Sequence, residues 1–287
     1  MNDAFLPPGP DVAMRPRKVA ASLGFVVAGA RTILGPQHTP HPFHITRPFH
    51  LTGDPQGMAT LYLQSSSGGL YGNDDLTLNV RAEAYSRVHL TTQAATVVHH
   101  ARGGRTRQCI RIVAECGTLL EYLPDPVILF SGADLVARVE ATLADGAILM
   151  LGDAAITHDP DGSGQSFTAF QNTIRINNGR GVPILIERMK ASGEDWRART
   201  GGLPAYGVFL VAGAIDAEAV REAIAGVLAP HTASSAVYAA CAAFPERGIV
   251  IARFLCTDSV ALSRIRDLAW SAARRAVTGL SPVLRRK

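Results

Sequence analysis

Histidine, cysteine and carboxylate side chains are what this 287-residue chain could use to hold a metal or move a proton, and their spacing limits both uses. His38, His41, His44 and His50 fall within GPQHTPHPFHITRPFH. The three- and six-residue spacings invite a metal reading, because imidazole is the commonest metal ligand. Pro40, Pro42 and Pro48 exclude a helix face that would gather them, and an extended segment throws such side chains to different sides. They are read as polar loop residues. His99 and His100 are adjacent, and Arg102, Arg105, Arg107 and Arg111 follow. Imidazole suits nickel and similar cations, and arginines can track phosphates. Aromatic residues for base stacking are absent from this run, and QCIRIVAE reads as a strand. A solvated or partner-facing strand edge is expected there, and no nucleic-acid partner. His99, His100, Asp153 and His158 could build a metal-dependent hydrolase if distant segments converge. Asp159, Asp161, Gly162 and Ser163 look like a calcium loop without its closing acid, and Gly162-Ser163-Gly164 is a fragment of a nucleophile elbow outside its strand-to-helix context. HExxH, phosphate-loop and dinucleotide-binding patterns are missing.

The elements that must position these groups are mostly strands. Gly68, Gly69 and Gly72, followed by Asn73, Asp74 and Asp75, make a tight turn in which positive φ is expected at the glycines. Asp74 is read as a turn-closing or partner-contacting carboxylate. Leu76, Leu78 and Val80 then alternate with polar residues, the period of a half-buried strand. A second strand around Val88 and Leu90 runs into Thr91-Thr92-Gln93-Ala94-Ala95-Thr96, and the pair reads as a β-hairpin. LVARVEATL and AILMLGDAAI, joined at Asp145-Gly146, read as another hairpin. Pro124-Asp125-Pro126 reads as a sharp corner between two apolar runs. Later, an Asp216-capped helix carries Val220, Ile224, Val227 and Leu228 on one face. A last helix from about Asp258 carries Ala261, Ile265, Leu268 and Ala272, with Arg264, Arg266, Arg274 and Arg275 assigned to its polar face. No clean internal repeat and no linker is visible. The expectation is one mainly β domain spanning 1–287, with a loose arm over 1–16, many short strands and two α-helices near the C-terminus.

The wording GGLYGND followed by TTQAAT resembles the signature of the UreD family (also called UreH), urease accessory proteins that commonly read P-G-G-L-V-G-G-D and T-T-Q-A-A-T. Gly68, Gly69, Leu70, Gly72 and Asp74 match the first block, and Thr91, Thr92, Gln93 and Thr96, with the alanines between, match the second. Glu121, Tyr122 and Pro124 fall in a third block, L-E-Y-L-P, and Arg47-Pro48-Phe49 fits the family's R-P-F. The resemblance implies a β-helix-like, layered body with two helices. It also implies a non-enzymatic maturation factor. Such a protein would bind apo-urease and a UreF-type accessory protein, which in turn recruits a UreG-type GTPase, to assist nickel insertion. Where the family shows Cys-His and His-Pro-Pro, this chain has Ala59-Thr60 and Ser65-Ser66-Ser67. No stably bound cofactor is therefore expected, and nickel contact would be transient, through His99 and His100. The alternatives are the hydrolase above and a diverged β-scaffold paralogue without nickel function.

Composition sets further bounds. Charged residues make up 18% against a hydrophobic share of 47%, and mean hydropathy is +0.13. Average soluble proteins carry roughly 25% charge, so a surface covered by a partner is expected. The formal charge is +4, and lysine occurs only at Lys18, Lys190 and Lys287, so the positive charge is almost all arginine. Cys109, Cys116, Cys241 and Cys256 show no CxxC spacing and are expected as free thiols in a reducing cytosol. The first residues lack a secretion signal, and no apolar run is long enough to span a membrane. A cytoplasmic protein is the expectation.

Overall fold

A computed structural model describes residues 17–159, 162, 164–232 and 235–283. The loose arm expected over 1–16, and Asp161 and Ser163 of the calcium-like loop, lie outside the described residues. In order come β1 (Arg17–Ala28), β2 (Arg31–His38), β3 (Phe43–Ile45), β4 (Ala59–Ser65), β5 (Asp74–Ala82) and β6 (Arg87–Thr92). Then follow β7 (Thr96–Val98), β8 (Thr106–Ala114), β9 (Leu119–Leu123), β10 (Val127–Leu129), β11 (Asp134–Leu143) and β12 (Ile148–Thr157). The chain continues through β13 (Ala169–Asn178), β14 (Pro183–Ser192), α1 (Gly193–Arg199), β15 (Ala205–Gly213) and α2 (Ala217–Thr232). β16 (Val237–Phe244), β17 (Ile249–Cys256) and α3 (Ser259–Thr278) close it.

These strands form two sheets. The first runs β14-β13-β11-β8-β5-β1-β2 and the second β16-β17-β15-β12-β9-β6-β4-β3. The central lanes of each sheet are parallel: β1 with β5, β5 with β8, β8 with β11 and β11 with β13 in one, β4 with β6, β6 with β9 and β9 with β12 in the other. The chain therefore winds as a layered β-solenoid, each coil giving one lane to each sheet. One apolar core, with Phe25, Leu61, Leu90, Ile112, Leu151 and Ile176, fills the space between the sheets. A second, with Phe209, Ile224, Phe254, Leu262 and Trp270, lies between the second sheet and α2 and α3. The result is three layers, sheet on sheet with helices on the outer face of one.

The winding overturns both hairpin readings. β5 and β6 belong to different sheets, as do β11 and β12. Each pair faces across the core instead of lying side by side. A half-buried strand alternates in the same way in either arrangement, so period 2 alone does not separate an arch from a hairpin. The turns are four-residue arcs: Glu83–Ser86 after β5, Glu115–Thr118 after β8 and Ala144–Ala147 after β11. The third residue of each is left-handed, with φ of 63° at Tyr85, 66° at Gly117 and 74° at Gly146. Neighbouring arcs are hydrogen-bonded, Tyr85 N to Cys116 O at 2.8 Å and Gly117 N to Asp145 O at 3.2 Å. This structural repeat is hidden in sequence because only its conformation recurs. A side chain at Gly117 would meet the Tyr85 ring at 2.6 Å in an already left-handed conformation. Gly117→Val is therefore expected to lower stability by about 2 kcal/mol in a denaturant melt.

Pro124-Asp125-Pro126 is not a corner either. β9 and β10 both pair with β12, through Leu119↔Ile148 to Tyr122↔Leu151 and then Val127↔Ala155 to Leu129↔Thr157. The two prolines interrupt a single lane, where the lost N–H donors leave a gap in the ladder. The helices number three among the described residues, not two. α1 is capped by Ser192, whose Oγ accepts from Asp195 N at 3.0 Å. It carries a single buried side chain, Trp196, too few for a periodic signal. Asp216 caps α2 as expected, accepting from Ala219 N at 3.1 Å. Asp258 caps α3, but the buried face there is Leu262, Ile265, Ala269, Trp270, Ala273 and Arg274. Arg274, read as solvated, is one of the most buried side chains in the protein, at 1% exposure.

Candidate functional site

The residues singled out from the sequence converge on two neighbouring places. The first is the end of the solenoid where the chain crosses from the second sheet to the first. Its connections, residues 66–73, 99–105, 130–133 and 158–168, range from four residues to eleven, where the arcs opposite are all of four. Gly68 and Gly69 have φ of 71° and 138°. Gly72 does not, contrary to expectation; it is required by close approach, since a Cβ there would lie 2.1 Å from Ala101 O. Asp74 is 3% exposed and points inward. Arg17 Nε donates to its Oδ1 at 2.9 Å, Arg17 Nη2 to its Oδ2 at 2.5 Å, and Tyr71 N to the same Oδ2 at 2.9 Å. The carboxylate closes the turn and ties it to β1. Asp74→Ala is expected to cost about 2 kcal/mol, read as an early thermal melt, because a part-buried guanidinium and the Tyr71 N–H both lose their acceptor.

At this end a row of rings crosses four lanes. Tyr71 stacks on His99 with centroids 4.4 Å apart, His99 meets the edge of Phe130 at 5.8 Å, and Phe130 lies 5.5 Å from His158. His99 Nε2 donates to Gly68 O at 3.3 Å. His100 Nδ1 accepts from Arg102 N at 2.9 Å. Phe130 therefore separates His99 from His158, and Asp153 lies elsewhere, between the sheets. No group of three or more His, Cys, Asp or Glu able to hold a metal ion occurs among the described residues. Of the loop histidines, His41 Nδ1 bonds Ser66 Oγ at 3.0 Å, His44 pairs with Gln64, and His50 Nε2 donates to Thr32 O at 2.9 Å.

The second place is where neighbouring lanes of the second sheet are interrupted side by side. Gln93-Ala94-Ala95 separates β6 from β7 just as Pro124-Asp125-Pro126 separates β9 from β10, and the two breaks lie side by side. Thr92 Oγ1 accepts from Asp125 N at 2.8 Å, Thr91 Oγ1 donates to Leu123 O at 2.6 Å, and Thr96 N donates to Pro126 O at 3.1 Å. Gln93 bonds Gln64 through its side chain and Leu63 O through its N–H at 2.9 Å. The hydroxyls of this motif thus replace ladder bonds that the break removes. On the inner face, Thr92, Thr96, Tyr122, Pro124, Asp153 and Asn172 line a cavity of about 50 Å³ between the sheets. Burial pushes the Asp153 carboxyl up, against the opposing effects of the Asn172 hydrogen bond and the Arg266 charge.

On the outer face of the same lanes lies a buried ionic cluster that pattern reasoning missed. Glu121 accepts from Arg274 Nε at 2.8 Å and Nη2 at 2.7 Å, and pairs with His89 Nδ1 at 2.7 Å. Arg274 also reaches Asp54 and the sulfur of Met58, and lies 5.1 Å from the centroid of Trp270. His89 stacks on Trp270 at 5.1 Å. Burial works to raise the Glu121 carboxyl, but the bonds and charges of His89 and Arg274 outweigh it and hold it at about 2. Arg266 Nη2 donates to Pro124 O at 2.6 Å. Two arginines of α3 thus fasten the helix layer to the interrupted lanes. A Glu inside an otherwise apolar strand, in LLEYL, was the one available signal of a buried partner.

The family model of the UreD urease accessory protein matches residues 18–287. The chain belongs to the UreD family. Urease accessory protein UreD 1 of Methylorubrum extorquens (strain PA1) is 36% identical over 287 residues, covering 98% of this chain and 94% of that protein. The proteins of the same name from Bradyrhizobium sp. (strain BTAi1) and Pseudomonas syringae pv. tomato (strain DC3000) are each 35% identical over 94% of this chain, covering 95% and 96% of their own lengths. The UreD blocks noticed in the sequence are thus the turn at Asp74, the break at Thr91–Thr96 and the strand that carries Glu121. All three build the body of this UreD-family chain.

Proposed function

We infer that this chain is a non-catalytic scaffold in urease maturation. It binds apo-urease on one surface and a UreF-type accessory protein on another. Through the latter it brings in a UreG-type GTPase, so that nickel reaches the urease active site as cargo. One observation carries the reading: Asp74, Thr91, Glu121 and Tyr122 of the family's motif blocks are buried, where they set the shape of the solenoid and, through Glu121 and Arg274, hold its last helix. A fold whose motif residues maintain shape presents surfaces, and surfaces assemble complexes. The cysteines are free, and no described helix is long and apolar enough to cross a membrane. Both are compatible with work in the cytoplasm.

Co-expression with urease subunits and the other accessory proteins tests this reading. Omitting the chain is expected to leave urease near background activity, and the chain is expected to elute with its UreF-type partner on size-exclusion chromatography. Full activation without it, together with a monomer that ignores the partner at micromolar concentration, would refute the scaffold role. For nickel, equilibrium dialysis of the isolated chain is expected to show at most weak binding, reduced in His99→Ala/His100→Ala. A tight stoichiometric site surviving both changes would place the ligands elsewhere.

A further inference from the structure

The outer face of the first sheet carries no helix layer, and its register gathers positive charge. Arg107, Arg138, Arg188 and Lys190 all project outward, from β8, β11 and β14, and all are exposed. Arg138 sits in the same row as Arg188, in the order Cys109↔Arg138↔Thr173↔Arg188, and Lys190 shares a row with Arg107. Lanes lie about 4.8 Å apart and successive outward rows about 6.7 Å, so these four cations fall within roughly 15 Å of one another. Among the described residues none of the four has an ion-pair partner. Arg111 and Arg81 on the same face are paired, with Glu140 and Glu115.

Over β1, β5, β8, β11, β13 and β14 the outward positions hold eight Lys or Arg against three Asp or Glu, an excess of five. That exceeds the formal charge of the whole chain, +4. The rest of the protein is close to neutral, and the basic character belongs to this face.

We propose that the outer face of the first sheet is a docking surface for a carboxylate-rich face of a partner protein. Charge complementarity names the occupant. The unpaired cations are mostly arginine, whose planar fork matches a carboxylate at two points. The outward rows contain no Phe, Tyr or Trp on which a base could stack, and acids are interspersed among the cations, which disfavours a polyphosphate track. The face lies away from the α2–α3 layer, which packs on the second sheet, leaving that side free for a different partner. The proposal rests on the scaffold reading only for the choice of protein probes.

Arg138→Glu/Arg188→Glu tests it, with Arg247→Glu, in the turn between β16 and β17, as an off-face control. Circular dichroism melts are expected to match the wild type, because both positions are exposed. Binding to purified apo-urease and to the UreF-type protein is measured at 50 and 500 mM salt. The expected result is at least a tenfold loss of affinity for one of them in the double variant, strong weakening of the wild type by salt, and no change in Arg247→Glu. Unchanged binding to both proteins overturns the docking surface and leaves the scaffold reading standing. If the wild type binds neither protein and activates no urease, the scaffold reading falls as well. A wild type that prefers a 20-base-pair DNA duplex or vesicles with 30% phosphatidylglycerol, and loses that preference in the variant, overturns the choice of an acidic protein.

Discussion

Arg274→Met is expected to destabilise this UreD-family chain by about 3–5 kcal/mol, the usual consequence of leaving buried carboxylates without their counter-ion. The methionine fills much of the space, so little of the loss would come from packing. Glu121 and Asp54, 0% and 4% exposed at their side chains, would face each other without a cation between them. Denaturant titration followed by circular dichroism measures the loss. A second reading comes from pH. The folded Glu121 carboxyl lies at about 2, below its ordinary value near 4.3. Its contribution is therefore complete above roughly pH 5 and is lost as pH falls through the ordinary value toward 2. Glu121→Gln should flatten that part of the acid limb. A melt of Arg274→Met that matches wild type at pH 7 would show that the cluster contributes no net stability.

Gly72→Val is expected to cost about 3 kcal/mol, the top of the usual range for overpacking, and to lower the yield of folded protein. The contact is with backbone: Ala101 O would lie 2.1 Å from the new Cβ and Gly104 O 3.0 Å. Neither can move without dragging the connection into β8. Gly68→Ala provides the contrast. Its Cβ would only touch Tyr71 Oη at 3.6 Å, so the expected loss is the strain of φ near 71° alone, about 1 kcal/mol. Equal losses at the two positions would show that conformation, not close approach, governs the turn.

Strand existence was legible because alternation survives any sheet arrangement: Leu76, Leu78 and Val80 point inward as their spacing says. Strand partnership was not legible. Asp145-Gly146 is chemically a hairpin turn, yet here it closes an arc between sheets, and only the arcs stacked on either side decide between the two. The cap at Asp216 was legible because one side chain and one N–H settle it, and the last helix does begin at Asp258, which caps it in the same way. Arg274 was misplaced because a helical stripe is read by hydrophobicity, and a cation buried by a distant carboxylate looks like a solvated one. The motif blocks fall on the turn at Asp74, the break at Thr91–Thr96 and the strand of Glu121. Whether Asp74 faced a partner or its own turn depended on Arg17, 57 residues away.

The bond between Arg274 and Glu121 joins residues 153 positions apart, and this has a consequence during synthesis. The solenoid can wind coil by coil as it leaves the ribosome, because each lane needs only the preceding one. Glu121 and His89 are in place early, on a sheet face still open to water. Covering that face falls to the last helix, which brings Arg274 to complete the pairing that His89 alone has begun. A chain ending just short of residue 274 would carry the whole solenoid and most of the helix layer, but Glu121 and Asp54 without the guanidinium that joins them.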